Sequence, residues 1–125
     1  MIHLLDVNVL LAGIWKSHHR HAEAAGWLHQ KEIAVCPISE LGFLRISTNP
    51  RAFNSSMENA RRLLEQFAQE RNATRIPDDL PALEARFSNS DEVTDFYLAE
   101  LAAKHGFKLA TLDREIPHPA VELIA

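Results

Sequence analysis

The chain has 125 residues, of which 46% are hydrophobic and 24% are charged, a composition typical of a globular domain and unlike that of a disordered chain. No apolar run approaches the roughly 20 residues that cross a bilayer, and no basic leader precedes the first predicted strand, so we expect a cytoplasmic protein with no membrane contact. The net charge of −4 disfavours a binder that relies on phosphate neutralisation alone. We expect a single domain over residues 1–125.

The first half of the chain predicts strands that alternate with helices. Residues 2–5 form an apolar run typical of a buried strand, and residues 22–31 carry apolar side chains near helical spacing. A second strand is expected over residues 33–36. The next helix is predicted to open at Ser39 and Glu40 and to end before Pro50. This alternation favours a parallel sheet covered by helices.

The middle of the chain contains another strong helix signal. Ser55 and Ser56, followed by Glu58, have the capping chemistry of a helix start, and the apolar stripe behind them continues to about Glu70. Residues 74–76 predict a third strand. After a proline-rich turn, the apolar side chains within residues 80–87 predict a short helix.

The last third predicts one helix followed by two strands. Thr94 is expected to cap a helix over residues 95–105 that closes at Gly106, where a positive φ is expected. Strands are predicted over residues 108–112 and 121–124. Together these elements predict an α/β fold with a central, mostly parallel sheet of four to five strands and helices on both faces.

Four acidic residues occupy the places where such a fold gathers ligands. Asp6 and Asp113 each follow an apolar strand, whereas Glu40 and Asp95 lie at helix starts. Taken alone, each has an ordinary structural explanation as a helix cap, a favourable charge at a helix N-terminus or a turn residue. Ligands of open parallel sheets bind beyond the carboxyl ends of the strands, and carboxylates gathered there repel one another unless a cation neutralises them. The four together therefore predict a cation site.

The sequences around these acids resemble one known family. The matching stretches are residues 5–11, 40–45, 94–99 and 109–114, which read LDVNVLL, ELGFLR, TDFYLA and LATLDR. In this order they are similar to the PIN-domain ribonucleases, specifically the VapC toxins of bacterial toxin–antitoxin pairs. The resemblance covers essentially the whole chain and implies a three-layer α/β/α PIN-like fold.

The resemblance also implies roles for individual residues. It assigns catalytic roles to four acids: Asp6, Glu40, Asp95 and Asp113. The first, third and fourth of these are the expected metal ligands, and the second either ligates or positions water. Asn8 and Thr111 match polar residues that orient the pocket, although a helix cap and a strand-end hydroxyl explain them equally well. Arg45 matches a basic position that could contact phosphate or remain simply exposed, and Glu115 receives no ligand role.

Oxygen ligands suit Mg²⁺, and Mn²⁺ fits the same set of donors. The implied reaction is hydrolysis of an RNA phosphodiester bond that leaves a 5′-phosphate and a 3′-hydroxyl. We expect a structured RNA cut in an exposed loop, because bases in A-form helices are hard to read. The family further implies a VapB-like antitoxin, which inserts a peptide near the active site, and a toxin homodimer. Four more arginines are candidate phosphate contacts: Arg51, Arg61, Arg62 and Arg75.

Other interpretations of the same residues remain open. A phosphatase of the haloacid dehalogenase type needs a second acid at the position of Asn8, and a receiver-like signalling module needs a lysine on its last strand, where residues 121–124 have none. A catalytically inactive α/β module that binds a cation and a protein partner is the main alternative to an enzyme. His18 and His21 could also share a helix face in a transition-metal site, although zinc sites usually have thiolates or more widely gathered ligands.

Overall fold

A five-stranded parallel sheet forms the centre of the protein, whose computed structural model describes residues 1–124. The strands are β1 (Ile2–Leu5), β2 (Glu32–Val35), β3 (Thr74–Arg75), β4 (Lys108–Thr111) and β5 (Val121–Leu123). Their order across the sheet is β3-β2-β1-β4-β5, and all four pairings are parallel. β1 therefore lies at the centre, where Leu4 is level with Ala34 of β2 and Leu109 of β4. The predicted α/β class and the predicted parallel sheet are confirmed.

Helices cover both faces of this sheet. They are α1 (Val7–Ile14), α2 (His21–Leu28), α3 (Pro37–Thr48), α4 (Met57–Glu70) and α5 (Val93–Lys104), with short 3₁₀ turns at Ala82–Glu84 and Ser90–Glu92. Within residues 1–124, none of the helices combines the length and the apolar character that a membrane crossing requires.

The hydrophobic core is divided between the two faces because successive strand residues point in opposite directions. Leu5 and Ala110 belong to a cluster with side chains of α1, α2, α3 and α4. Leu4 and Leu109 belong to a second cluster, which α5 covers. The result is the expected three-layer α/β/α arrangement.

Two helices begin earlier than predicted. α3 starts at Pro37 and not at Ser39, because proline is favoured in the first helical turn, where its missing N–H costs nothing. α5 starts at Val93, and the 3₁₀ turn Ser90–Glu92 leads directly into it. Thr94 is therefore already inside the helix, and the predicted Thr94 cap is wrong.

Two further differences concern short or local elements. The sequence predicted no full helix between the first strand and residue 22, whereas α1 runs there for two turns, to Ile14. The short helix predicted within residues 80–87 is reduced to one 3₁₀ turn. By contrast, Gly106 has φ = +74°, which confirms the expected left-handed residue after α5.

Candidate active site

The Thr111 hydroxyl joins three of the residues expected in the site. It donates to Asp6 Oδ2 at 2.8 Å, and it accepts from Asn8 Nδ2 at 3.2 Å and from the Asp113 backbone N–H at 3.0 Å. A hydroxyl offers one donor and two acceptor positions, so all the hydrogen-bonding capacity of the fully buried Thr111 is used. Thr111 therefore positions its neighbours and has no capacity left for another ligand.

Asn8 completes this connection from the first turn of α1. Its amide oxygen accepts from the Leu112 backbone N–H at 3.1 Å, while its amide nitrogen donates to Thr111. The side chain thus bridges α1 to the end of β4 and does not cap a helix. The structure places Asn8 and Thr111 beside two of the acids, as the resemblance implies.

Asp6 lies at the junction of β1 and α1 with only 4% of its surface exposed. It is the N-cap of α1, where its carboxylate accepts from the Val7 N–H at 2.7 Å. Burial raises the pKa of Asp6, the hydrogen bonds from Thr111 and Val7 oppose this increase, and the charge of Asp113 adds to it. The capping explanation is thus correct, and the same carboxylate also faces a second acid.

Asp95 and Asp113 line a cleft of about 210 Å³ at this edge of the sheet. Asp95 lies in the first turn of α5 and Asp113 follows β4. Burial, followed by the charges of Asp6 and Asp113, raises the pKa of Asp95 to about 6. These three aspartates, from β1, α5 and β4, therefore share one electrostatic environment.

The fourth predicted acid, Glu40, is differently engaged. Its carboxylate accepts from Arg75 Nη1 at 3.0 Å, in an ion pair between α3 and the end of β3. Glu40 lines a separate groove between α3 and α4 together with Arg75 and Arg61. The charge of Glu40 is also not among those that raise the pKa values of Asp6 and Asp95. The structure brings three of the four acids together and pairs the fourth with an arginine.

The predicted basic residues lie outside the acidic cleft. Arg45 is exposed on α3, and the described residues offer it no ion pair. Arg75, a candidate phosphate contact, is the partner of Glu40. The Nδ1 atoms of His18 and His21 both make hydrogen bonds, with the Arg20 N–H and the Ala12 carbonyl respectively, which gives no support to a transition-metal site there.

Several acids to which the sequence pattern gave no role line the same cleft. Besides the two aspartates already named, the lining includes Asp91, Glu92 and Glu115. The first two belong to the 3₁₀ turn that precedes α5, and the third had received no role. The signal was available in the sequence, since Glu115 lies two residues after Asp113, but nothing local shows that the turn before α5 folds against it.

The donor chemistry of the site fits a hard divalent cation. Each oxygen of Asp6 accepts one hydrogen bond and keeps a further lone pair, while the cleft presents carboxylates of Asp95 and Asp113. As the side chains stand in residues 1–124, no group of three or more Asp, Glu, His or Cys residues has the spacing to hold an ion. Joint coordination therefore requires these carboxylates to move closer together.

Comparison with protein-family models shows to which family the chain belongs. The family model described as PIN domain matches residues 3–122. The chain belongs to the PIN-domain family. Among curated PIN-domain relatives, Ribonuclease VapC39 of Mycobacterium tuberculosis is 37% identical over 96% of this chain and 94% of its own length. Ribonuclease VapC38 of the same species is 33% identical, covering 97% and 96%. The resemblance to VapC ribonucleases is thus confirmed.

Solved structures show the same PIN fold. VapBC2 from Rickettsia felis, bound to a DNA fragment from its promoter, aligns with a TM-score of 0.66 and 17% identity over 98% of both chains. FitAcB from Neisseria gonorrhoeae aligns with a TM-score of 0.58 and 20% identity over 90% of this chain and 88% of the other. At such identities the likeness establishes the architecture alone.

Proposed function

We propose that this PIN-domain protein is a metal-dependent endoribonuclease toxin that hydrolyses RNA phosphodiester bonds and is inhibited by a cognate VapB-like antitoxin. The observation that carries the proposal is the convergence of Asp6, Asp95 and Asp113 at the carboxyl edge of adjacent central strands. Burial and mutual repulsion raise the pKa of Asp95, so a divalent cation would relieve an electrostatic cost that the free protein bears. The curated relatives named as VapC ribonucleases support the reaction class.

Asp6, Asp95 and Asp113 are the proposed ligands of Mg²⁺, with Mn²⁺ as an alternative. A bound divalent cation supplies charge neutralisation at the scissile phosphate and activates water for hydrolysis. Thr111 fixes the Asp6 carboxylate through its hydroxyl, and Asn8 fixes Thr111. In the reaction, a water oxygen bonds to phosphorus as the bond to the 3′ oxygen breaks, which leaves a 5′-phosphate and a 3′-hydroxyl.

Glu40 has a separate proposed role. In the free protein its carboxylate is held by Arg75, and both side chains line the groove between α3 and α4. An RNA phosphate that attracts Arg75 would free Glu40 to position the attacking water. Arg45, Arg51, Arg61 and Arg62 remain proposed phosphate contacts on exposed surfaces.

The partners are proposed from the relatives. One similar structure is described as VapBC2 bound to promoter DNA, which supports an antitoxin partner for this chain. We also propose that the toxin forms a homodimer and that its substrate is a structured RNA cut in an unpaired loop, where bases can be splayed apart.

The decisive test is an RNase assay of the purified protein with Mg²⁺ or with EDTA. We expect cleavage with Mg²⁺, none with EDTA, and a loss of at least a hundredfold for Asp6→Asn and Asp95→Asn, because each removes a proposed ligand. Glu32→Gln, an exposed acid at the start of β2 and away from the carboxyl edge of the sheet, is the matched control and should cleave normally. Cleavage that persists in EDTA, or full activity of both cleft variants, would refute the mechanism.

The toxin role needs a second experiment in cells. Expression of the wild-type chain should arrest growth, and co-expression of the antitoxin should restore it. Asp6→Asn, expressed at the same soluble level, should allow normal growth. Arrest by Asp6→Asn equal to that by the wild-type chain would separate toxicity from the nuclease site and contradict the proposal.

A further inference from the structure

Four aromatic rings form a nearly parallel stack at the start of the loop that joins α1 to α2. Trp15 stacks on Phe53 with centroids 5.0 Å apart and planes at 17°, and His18 faces Phe53 at 6.3 Å and 16°. His19 continues the series on His18 at 4.7 Å and 15°. We call these four side chains the aromatic ladder. Its rings line an open cleft of about 480 Å³, and His19, at its end, is exposed.

The ladder is held in place by hydrogen bonds at the ring edges. Its inner rings, Phe53 and His18, are each stacked with two neighbours, so a further ring can be added at the exposed end ring, His19. Trp15 Nε1 donates to Ser47 Oγ at 2.9 Å, which fixes the indole against α3. His18 Nδ1 accepts from the Arg20 N–H at 3.0 Å, so the proton of the neutral ring lies on Nε2. Burial and the charges of the neighbouring basic residues lower the pKa of His18, which favours the neutral ring.

The turn that carries Phe53 is equally well defined. The Ala52 and Asn54 N–H groups both donate to the Asn49 carbonyl, at 2.9 and 3.0 Å, and the Arg51 N–H donates to the Asn49 side chain at 2.9 Å. Phe53 is thus presented on a closed turn. A ring surface ordered before binding avoids much of the entropy cost of binding.

The charge around the ladder is opposite to that of the whole chain. The two segments that form it, residues 15–21 and 49–54, contain Lys16, Arg20 and Arg51 and no acidic residue, although the chain as a whole carries a net charge of −4. Glu23 pairs with Arg20, so Lys16 and Arg51 supply the local positive charge. Lys16 and Arg51 are both exposed. Local positive charge beside stacked rings is the combination that binds single-stranded nucleic acid without reading its sequence.

The loop of the ladder is also attached to the acidic site. Arg20 Nη1 donates to the Leu112 carbonyl at 3.2 Å, and Leu112 immediately precedes Asp113. The same guanidinium is paired with Glu23 at 2.8 Å, which holds it in this position. A strand of RNA at Asp113 would therefore find the basic, aromatic loop next to it.

We propose that the exposed His19 end of the aromatic ladder stacks an unpaired RNA base, with Lys16 and Arg51 contacting the adjoining phosphates, and that it holds the single-stranded segment cut at the acidic cleft. This inference rests on the proposed ribonuclease function and adds the surface that selects unpaired RNA. A double helix hides its base faces, so the ladder discriminates against it.

The test is binding of a fluorescein-labelled single-stranded oligoribonucleotide of mixed sequence, measured by anisotropy in EDTA, where no cleavage is expected. His19→Ala and Phe53→Leu should each raise Kd about fivefold or more, whereas His19→Phe keeps a ring and should bind like the wild-type protein. His29→Ala, an exposed histidine after α2, is the control and should leave Kd unchanged. Arg51→Ala should lower the slope of log K against log salt by about 0.7.

The outcomes separate this inference from the ribonuclease itself. An unchanged Kd in folded His19→Ala and Phe53→Leu would overturn the proposal that the ladder binds RNA by stacking. A loss of binding to a blunt RNA duplex as large as the loss of binding to the single strand would also overturn it. Weakened antitoxin binding with unchanged RNA binding would assign the surface to a protein and also overturn it. With Mg²⁺ added, His19→Ala should raise KM with kcat unchanged. If the protein never cleaves RNA but its RNA binding still depends on the ladder side chains, the proposed ribonuclease function is refuted and the proposed binding surface is supported.

Discussion

At the residue scale, the Thr111 hydroxyl is the point on which the acidic site depends. Thr111→Val keeps the shape of the side chain but leaves Asp6, Asn8 and the Asp113 N–H without a shared partner. We expect Thr111→Val to lower the free energy of unfolding by about 1–3 kcal/mol and to reduce kcat. Thr111→Ser keeps the hydroxyl and should retain most of both. Urea unfolding and RNase assays measure the two effects, and equal behaviour of the two variants would contradict the positioning role.

Asp95 gives a pH-dependent prediction at the same scale. Its pKa is raised from 3.8 to about 6, so its contribution to stability is complete below about pH 4 and is lost as the pH rises through about 6. Asp95→Asn never carries this charge. In EDTA we expect Asp95→Asn to have a higher Tm than the wild-type protein at pH 8 and a similar Tm at pH 4.

Glu32→Gln removes a charge outside the cleft and should show no such pH-dependent gain. Equal melting temperatures of the wild-type protein and Asp95→Asn at pH 8 would mean that the cleft imposes no electrostatic cost.

The residues also show what the sequence could and could not predict. Asp6 and Asp113 follow apolar runs, so their place at the edge of a parallel sheet follows from strand periodicity and the α/β pattern. The Glu40–Arg75 ion pair joins residues 35 positions apart and depends on β3 lying beside β2. No local pattern contains that information, because the pairing of two residues in β3 is decided by tertiary packing.

At the scale of elements, α1 and α3 approach each other closely at Gly42. A Cβ at this position would lie 2.5 Å from Val7 Cγ2, and a β-branched side chain in a helix cannot easily rotate away. Gly42→Ala should therefore cost about 1–3 kcal/mol of stability. Adding Val7→Ala should recover part of that loss, which a double-mutant cycle measures.

Gly26 of α2 is the matched control for this prediction. A Cβ there meets nothing within 4 Å, so Gly26→Ala should stabilise the protein by about 0.5–1 kcal/mol through helix propensity alone. Destabilisation of similar size in both variants would show that the close approach of α1 and α3 is not the cause.

At the scale of the whole molecule, the two hydrophobic clusters share the strands β1, β2 and β4. If the helices on one face of the sheet came away, they would expose the strands on which the helices of the other face also pack. Residues 1–125 should therefore unfold in one cooperative transition, with equal calorimetric and van't Hoff enthalpies. Calorimetry over a dilution series tests this, because a transition caused by dissociation of a homodimer depends on the protein concentration whereas unfolding of a single chain does not. Two transitions that persist on dilution would argue for separate domains.

The central position of β1 also has a consequence for the timing of synthesis. Asp6 and Thr111, which hydrogen-bond across β1 and β4, are separated by 105 residues. At roughly 5–20 residues per second, a ribosome needs roughly 5–20 s between making one and making the other. Throughout that interval the nascent chain contains Asp6 without the strand that completes its pocket. The Asp6–Thr111 hydrogen bond therefore cannot form until nearly the whole chain has been made.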